Sequence, residues 1–325
     1  MQAFELLSAE RTADALRLMA QHEGATVIAG GTTVIDLMKC GVTVPRVLID
    51  ITRLPLAAIE VDEKRIRIGA LVSNSAVAFD KDVAHRLPML SKAFLSGASG
   101  QLRNMATVGG NLLQRTRCPY FRDPASQCNK RNPGAGCDAF EGVHRGHAIL
   151  GTSEQCIATH PSDAAVALIA LDAIVEVSSP GGMRRIPVEE FYLVPNHTPA
   201  LENVMLPGEL ITALEIPAGP AQRNATYLKV RDRSSYEFAL VSVAAGLEFD
   251  GDTIVRARLA LGGVGTIPWR VRAAEEALAG KKADADAFRA AAAAAVEGAI
   301  PRRDNAFKVE LAKRAVVRAL ETVVR

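Results

Sequence analysis

The chain has 325 residues, a net charge of +2 and 49% hydrophobic residues. This length allows two or three domains with a sizeable core, and the balanced charge gives no reason to expect a nucleic acid or an anionic membrane as partner. No uninterrupted apolar run reaches about 18 residues, so no membrane-spanning helix is expected. The first residues lack a basic segment followed by an apolar core, so we expect no secretory signal in this chain.

The first 57 residues predict a small N-terminal lobe. An amphipathic helix is expected at 8–22, and the apolar run at 25–31 predicts a buried strand that ends in a glycine pair. A short helix at 33–41 and a second strand at 46–52 follow. This order is typical of a β-α-β unit.

Residues 58–218 predict a second lobe. Alternation at 59–71 indicates a hairpin, and residues 84–98 and 161–173 have helical character. A strand is expected at 173–179.

A joint rich in proline and glycine near 217–220 predicts a domain boundary, which leaves residues 219–325 as a C-terminal α+β domain. We expect this domain to contain a three-stranded sheet followed by helices. The strands are predicted at 225–231, 239–249 and 253–262, and the helices near 271–279, 284–298 and 304–324.

Periodicity disappears between Gly97 and His160, and a long irregular loop inside a compact domain is normally functional. This segment holds four of the five cysteines, Cys118, Cys128, Cys137 and Cys156, with the spacing C-x9-C-x8-C-x18-C. Four thiolates from one loop can bind the four irons of a [4Fe–4S] cluster. We therefore predict an iron–sulfur loop at 114–158.

The cysteine spacing alone leaves two alternatives open. It matches neither a ferredoxin run nor a zinc pair of the C-x2-C type, and a zinc site could recruit His144, His147 or His160. The four cysteines could also be independent buried thiols, which is how we interpret Cys40. Basic residues of the loop are expected to offset the charge of a cluster: Arg115, Arg117, Arg122, Lys130 and Arg131.

Two glycine pairs indicate a second cofactor. Gly30 and Gly31 lie between a predicted strand and a helix, where the N–H groups of 30–34 could cradle a pyrophosphate. A tight β-α turn explains this pair equally well. The second pair lies in ATVGGN at 106–111, and the THPSD segment at 159–163 could serve either a ribityl chain or helix capping.

The motifs occur in one order along the chain: AGGTT, LRNMATVGGN, THPSD, LPGELITALEIP, YLKVRDRSSYEFALVSVA and LALGGV. With this order the whole chain resembles the FAD-binding medium subunits of the xanthine dehydrogenase and molybdenum hydroxylase family. The cysteine-bearing segment is similar to that of the FAD and [4Fe–4S] subunits of bacterial periplasmic aldehyde oxidoreductases. The resemblance implies an α+β chain: a two-lobed FAD-binding domain of the vanillyl-alcohol-oxidase type with the iron–sulfur loop as an insertion, plus the C-terminal α+β domain.

The resemblance also implies roles for individual residues. The pyrophosphate of FAD would be held by Thr26, Val27, Ile28, Ala29, Gly30, Gly31, Thr32, Thr33 and Val34. The flavin and its ribityl chain would be lined by Thr107, Gly110, Asn111 and Leu113. Further FAD contacts would come from Ser162, Asp163, Ile211 and Lys229. The cluster ligands would be Cys118, Cys128, Cys137 and Cys156.

The function implied by the resemblance is electron transfer within a heterotrimer. A large partner with the molybdenum cofactor would oxidise aldehydes to carboxylic acids, and a small partner with [2Fe–2S] clusters would pass the electrons to this chain and on to an external acceptor. The alternatives are the corresponding subunit of an aromatic acyl-CoA reductase, or a zinc-stapled scaffold without flavin. Co-export with a signal-bearing partner would place the complex in the periplasm; otherwise it is cytoplasmic.

Overall fold

The computed structural model describes residues 1–324. Its N-terminal lobe contains a parallel three-stranded sheet in the order β1-β3-β2. The elements of this lobe are β1 (Glu5–Ser8), α1 (Thr12–Gln21), β2 (Thr26–Ile28), α2 (Val34–Lys39) and β3 (Val47–Asp50). Strand β1 was not expected from the sequence, because four residues are too few to show alternation.

The second lobe is built on an antiparallel five-stranded sheet in the order β4-β5-β8-β6-β7. Its strands are β4 (Ile59–Val61), β5 (Arg65–Gly69), β6 (Ile174–Ser179), β7 (Gly182–Pro187) and β8 (Leu210–Pro217). Strand β8 is central, and six of its eight residues are buried.

Short helices cover this sheet and lead into the irregular segment. They are α3 (Asn74–Phe79), α4 (Lys81–Arg86), α5 (Pro88–Ser96), α6 (Gly100–Met105), α7 (Val108–Leu112), α8 (Pro119–Arg122), α9 (Asp163–Ala170) and α10 (Val188–Phe191). The helix predicted at 84–98 is interrupted at Leu87, because a residue before proline disfavours helical backbone. Helices α6 to α8 lie where no periodicity was visible, since none exceeds six residues.

The C-terminal sheet is antiparallel with four strands in the order β12-β11-β10-β9, and not three as predicted. The additional strand has only two residues, which pair with Ala260 and Leu261 and are too short to predict. The elements are α11 (Pro220–Arg223), β9 (Ala225–Val230), β10 (Val241–Asp250), β11 (Thr253–Gly262), β12 (Trp269–Arg270), α12 (Arg272–Leu278), α13 (Ala285–Ala294) and α14 (Phe307–Val324). The predicted α+β class is confirmed.

Two large hydrophobic cores hold these layers together. One joins the five-stranded sheet to α5 and α9 and reaches one face of the C-terminal sheet. The other face of the C-terminal sheet packs on α12 and α14, and α13 packs on these two helices. Between residues 1 and 324, no helix has the length and apolarity needed to cross a membrane. The limits predicted for the lobes and for the C-terminal domain stay predictions.

We expect Leu214→Ala to destabilise the protein by about 2–5 kcal/mol, because this side chain lies in the central strand β8 with only 1% of its surface exposed. Urea unfolding of both proteins measures the difference. The matched control is Leu206→Ala, where 62% of the side chain is exposed and the change should stay within about 0.5 kcal/mol. Equal losses in the two variants would contradict the packing described for β8.

Candidate cofactor site

A cleft of about 490 Å³ opens beside α2, α5, α6, α7 and α9. Its volume lies in the range of about 300–1,000 Å³ that small-molecule and cofactor sites occupy. Its walls are partly apolar, with Phe94, Leu102 and Phe238, and its polar groups include Thr32, Thr33 and Asn111.

The first glycine loop enters this cleft between β2 and α2. Gly31 has φ +71°, and a Cβ atom on Gly30 would lie 1.8 Å from the carbonyl oxygen of Met105, so both positions require glycine. In the described part of the chain, no protein group accepts a hydrogen bond from the backbone N–H groups of residues 30–34. Backbone donors left free beside a cleft can bind an anionic ligand.

The second glycine loop is joined to the start of α9 by hydrogen bonds. Thr107 Oγ1 accepts from the N–H of Gly110 (3.4 Å), and Ser162 Oγ donates to Asn111 Oδ1 (2.6 Å). Ser162 Oγ also accepts from the N–H of Ala165 and caps α9. Capping therefore explains Thr107 and Ser162, while Gly110 and Asn111 line the cleft directly.

A buried ion pair forms another wall. Lys229 Nζ donates to Asp163 Oδ2 (2.7 Å) and to the carbonyl of Ser96 (3.1 Å), and the Tyr227 hydroxyl donates to Asp163 Oδ1 (2.6 Å). Only 4% of the Lys229 side chain and 10% of the Asp163 side chain are exposed. Burial and the neighbouring carboxylate raise the pKa of Tyr227, which keeps its hydroxyl a hydrogen-bond donor. These contacts hold the Lys229 side chain in place at the cleft.

Other residues predicted to contact FAD lie away from the cleft surface. Thr26, Val27 and Ile28 form β2, where they pair with β3. Ile211 is 3% exposed and lies opposite Val177 in the five-stranded sheet. Leu113 lines a separate, water-sized cavity of about 30 Å³.

Asp36, Arg117 and Arg122 are among the cleft residues that were not assigned to FAD from the sequence. Asp36 on α2 accepts hydrogen bonds from Arg117 Nη1 (2.8 Å) and Arg122 Nη2 (2.8 Å). Burial would raise the pKa of Asp36, but the hydrogen bonds from both guanidinium groups outweigh burial and hold it below its usual value. The two arginines flank Cys118, whereas their partner is more than 80 positions away, so only the fold reveals the contact.

The four predicted ligand cysteines are free; Cys128 and Cys156 are buried, and Cys118 and Cys137 are partly buried. Cys128 and Cys137 lie opposite each other in an isolated antiparallel bridge. Cys118 begins α8 and packs with Cys128 on Leu37, a residue of α2. Burial is the main cause that raises the pKa of Cys118 and of Cys137, and negative charge on Cys128 or Cys156 would raise both further, so these thiols lie close together.

Backbone donors are already directed at these sulfurs. Burial raises the pKa of Cys118 to about 12, while N–H groups of Phe121 and Tyr120 hydrogen-bond to its sulfur and oppose this rise. Burial likewise raises the pKa of Cys137 to about 11 and also raises that of Cys156, whose sulfur accepts from the N–H of Ala158 (3.5 Å). With pKa values raised in this way, the thiols would ionise only when cations bind to them. The backbone N–H groups beside them would then stabilise the negatively charged sulfurs.

No group of three or more His, Cys, Asp or Glu side chains in residues 1–324 is arranged to hold a single metal ion. In a [4Fe–4S] cluster each thiolate binds a different iron. Its four cysteines therefore do not converge on one point as the ligands of one ion do.

The basic residues of the loop have other partners than those expected from the sequence. Arg115 and Lys130 both pair with Glu202, at 2.5 and 3.0 Å. Arg131 donates to the carbonyls of Tyr120 and Phe121, each at 2.8 Å. These side chains pair with a partly buried carboxylate and satisfy loop carbonyls. Burial raises the pKa of Cys156, and the charge of Lys130 opposes this rise, as expected for a basic residue beside a ligand cysteine.

The C-terminal domain also holds the loop. Lys308 is fully buried, and its Nζ donates to the carbonyls of Gly146 (3.1 Å), His147 (3.0 Å) and Gly263 (2.7 Å). Asn305 Nδ2 donates to the carbonyls of His147 and Ala148, each at 3.3 Å. Burial lowers the pKa of Lys308 to about 7.

The three histidines named for a zinc site have separate environments. His144 Nδ1 lies 3.5 Å from Asp304 Oδ2. His160 packs edge-on against Tyr192, with ring centroids 4.5 Å apart, and burial lowers its pKa to about 3. Among the described residues, His147 is the only one of these three histidines with a hydrogen-bond contact to a cysteine sulfur: its Nε2 lies 3.2 Å from Cys118 Sγ.

We expect Asp36→Asn to destabilise the protein by about 0.5–1 kcal/mol at pH 7, a small value because more than a third of this side chain is exposed. The folded pKa lies below the unfolded value of about 3.9. The wild-type advantage is therefore present above pH ~4 and is lost as pH falls through the folded pKa. Urea midpoints between pH 7 and pH 3 test this, with Asp252→Asn on the exposed β10–β11 turn as the charge-matched control. A difference that does not change with pH would contradict the ion pair.

Comparisons with known proteins agree with this geometry. The family described as "FAD binding domain in molybdopterin dehydrogenase" matches residues 2–219, and "CO dehydrogenase flavoprotein C-terminal domain" matches residues 226–323. The aldehyde oxidoreductase FAD-binding subunit PaoB of Escherichia coli is 49% identical, over 98% of both chains. The carbon monoxide dehydrogenase medium chain of Hydrogenophaga pseudoflava is 26% identical, over 98% of this chain and 96% of that protein.

A solved structure of carbon monoxide dehydrogenase from Hydrogenophaga pseudoflava has the same fold, with a TM-score of 0.78 and 25% identity over 99% of this chain and 98% of that one. The family expected from the motif order is confirmed. This chain belongs to the FAD-binding medium subunits of the molybdenum hydroxylase family of oxidoreductases.

Proposed function

We propose that this chain is the FAD- and [4Fe–4S]-containing electron-transfer subunit of a heterotrimeric molybdenum aldehyde oxidoreductase. Electrons come from [2Fe–2S] clusters of a small partner, which is fed by a large partner that carries the molybdenum cofactor and oxidises aldehydes to carboxylic acids. They leave this chain to an external acceptor. The proposal rests on one observation: a cleft large enough for a cofactor lies beside a loop with four grouped, free cysteines. Asp36 at the cleft accepts hydrogen bonds from Arg117 and Arg122 of that loop.

The cleft fits FAD through its own residues. The free N–H groups of residues 30–34, with the hydroxyls of Thr32 and Thr33, would hold the pyrophosphate. Gly110 and Asn111 would lie along the ribityl chain, and Lys229, held in place by Asp163, would approach the ring system. Bound FAD exchanges electrons with both one-electron and two-electron carriers, which suits a subunit between iron–sulfur clusters and varied acceptors.

The cysteine loop fits a [4Fe–4S] cluster by the chemistry of its donors. Cys118, Cys128, Cys137 and Cys156 supply four thiols in one partly buried group. Backbone N–H groups already point at the sulfurs of three of them. The relative PaoB, an aldehyde oxidoreductase FAD-binding subunit, supports the substrate class.

We place aldehyde oxidation on the large partner and assign no aldehyde site to this chain. Aldehyde turnover by this chain alone, without molybdenum, would contradict that assignment. We also propose export of the folded complex to the periplasm with a signal-bearing partner. A twin-arginine signal on a partner would support export, and partners without any leader would place the complex in the cytoplasm.

We expect anaerobically purified protein to contain about four irons, an equal amount of acid-labile sulfide and one non-covalent FAD per chain. Each of Cys118→Ser, Cys128→Ser, Cys137→Ser and Cys156→Ser should lose most of the iron and keep FAD. Cys40→Ser, on the C-terminal end of α2, is the matched control and should keep both.

Other results would point to the alternatives. Zinc without sulfide or flavin would leave a zinc-stapled scaffold, and flavin without iron would contradict the cluster. Reduction of aromatic acyl-CoA thioesters by the assembled complex, with no aldehyde oxidation, would replace the substrate class.

We expect Gly30→Ala to weaken FAD retention at least tenfold, or about 1.4 kcal/mol, because the new methyl group would collide with the Met105 carbonyl and displace the loop. Gly100→Ala is the matched control, since a Cβ there meets no atom within 4 Å. FAD dissociation constants from fluorescence titration give the comparison. Unchanged FAD affinity in Gly30→Ala would remove the 30–34 loop from the proposed FAD site.

A further inference from the structure

One buried imidazole lies against a predicted cluster ligand without being one itself. The Nε2 atom of His147 is 3.2 Å from the sulfur of Cys118, and the whole residue is 4% exposed. This separation fits a hydrogen bond to sulfur, and with one cysteine for each of the four irons of a cluster no further ligand is needed. The contact joins two positions 29 residues apart in the loop.

The direction of this hydrogen bond follows from the chemistry of the sulfur. A cysteine sulfur that binds iron is a thiolate and has no hydrogen to donate. The hydrogen between the two atoms must therefore be on Nε2, with the sulfur as acceptor. The other ring nitrogen, Nδ1, is buried and has no hydrogen-bond partner among the described residues, so no protein contact there competes for the ring.

The position of the ring is fixed from the C-terminal domain. The carbonyl of His147 accepts from Lys308 Nζ (3.0 Å) and Asn305 Nδ2 (3.3 Å), and both donors belong to fully buried residues. The N–H of His147 donates to the carbonyl of His144 (3.0 Å). With its backbone held on both sides, His147 can keep Nε2 directed at Cys118.

We propose that His147 is a positioning residue for the iron–sulfur cluster. Its Nε2–H group donates a hydrogen bond to the Cys118 sulfur, and this bond raises the reduction potential of the cluster. Reduction adds negative charge to the cluster and its sulfurs, so a hydrogen-bond donor stabilises the reduced form more than the oxidised form. The inference rests on the proposed function, because it requires a cluster at these cysteines.

The test is a redox titration of the cluster in the assembled complex, followed by low-temperature electron paramagnetic resonance. His147→Phe keeps a ring but removes the donor, and we expect a lower midpoint potential than in wild-type protein at equal iron content. His147→Gln retains an N–H donor at a similar reach and should restore the potential towards the wild-type value. Midpoint potentials that agree in wild-type and His147→Phe proteins would overturn the inference.

His144→Phe is the matched control. His144 is also buried, lies three positions away in the same loop, and faces Asp304. We expect its substitution to leave the midpoint potential unchanged. A shift as large as that of His147→Phe would assign the effect to loop packing and would also overturn the inference.

A second measurement does not depend on the stability of His147→Phe. In the reduced complex with ¹⁵N-labelled histidine, electron–nuclear double resonance should detect a histidine nitrogen coupled to the cluster, and His144→Phe should retain this coupling. No such coupling in wild-type protein would overturn the inference even if His147→Phe loses its iron. Wild-type protein without iron would instead refute the proposed function, which distinguishes the two failures.

Discussion

The structure depends on how the irregular cysteine loop satisfies its buried backbone. A loop without sheet or long helix has few regular partners for its carbonyl oxygens, and unpaired buried carbonyls are costly. Here side chains supply the donors. Arg131 reaches carbonyls inside the loop, while Lys308 and Asn305 enter from the C-terminal domain. A segment with little regular secondary structure is thereby held in one conformation, and this conformation keeps the four thiols grouped.

The same constraint explains what the sequence could and could not predict. Strong periodicity placed β10, β11 and α14 close to their observed bounds, and composition isolated the four cysteines. The roles of Arg131 and Lys308 could not be read in this way. A basic side chain such as Arg131 in a cysteine-rich loop suggests compensation of negative thiolate charge. Its observed partners are backbone carbonyls. Because every residue has a carbonyl, no sequence pattern indicates which ones will be bound. Two-residue β12 and four-residue β1 fell below the length at which alternation is visible.

In the candidate flavin cleft too, the sequence predicted some features and could not predict others. The glycine loops were visible because tight turns demand particular residue types, and Gly30 and Gly31 indeed cannot be replaced without strain or collision. The contact of Asp36 with Arg117 and Arg122 was invisible because it joins distant parts of the chain. This contact makes the cleft and the cysteine loop neighbours: one end of α2 faces the cleft, and Leu37 of the same helix packs on the cysteine group.

The anchoring of the loop by α14 has a consequence for the order in which the protein is made. The loop at 114–158 leaves the ribosome long before Asn305 and Lys308 are synthesised, and until then the carbonyls of Gly146, His147 and Ala148 lack these donors. A chain that ends before Asn305 therefore lacks the side-chain donors for these carbonyls, and the final residues to be synthesised complete the packing of the cysteine loop.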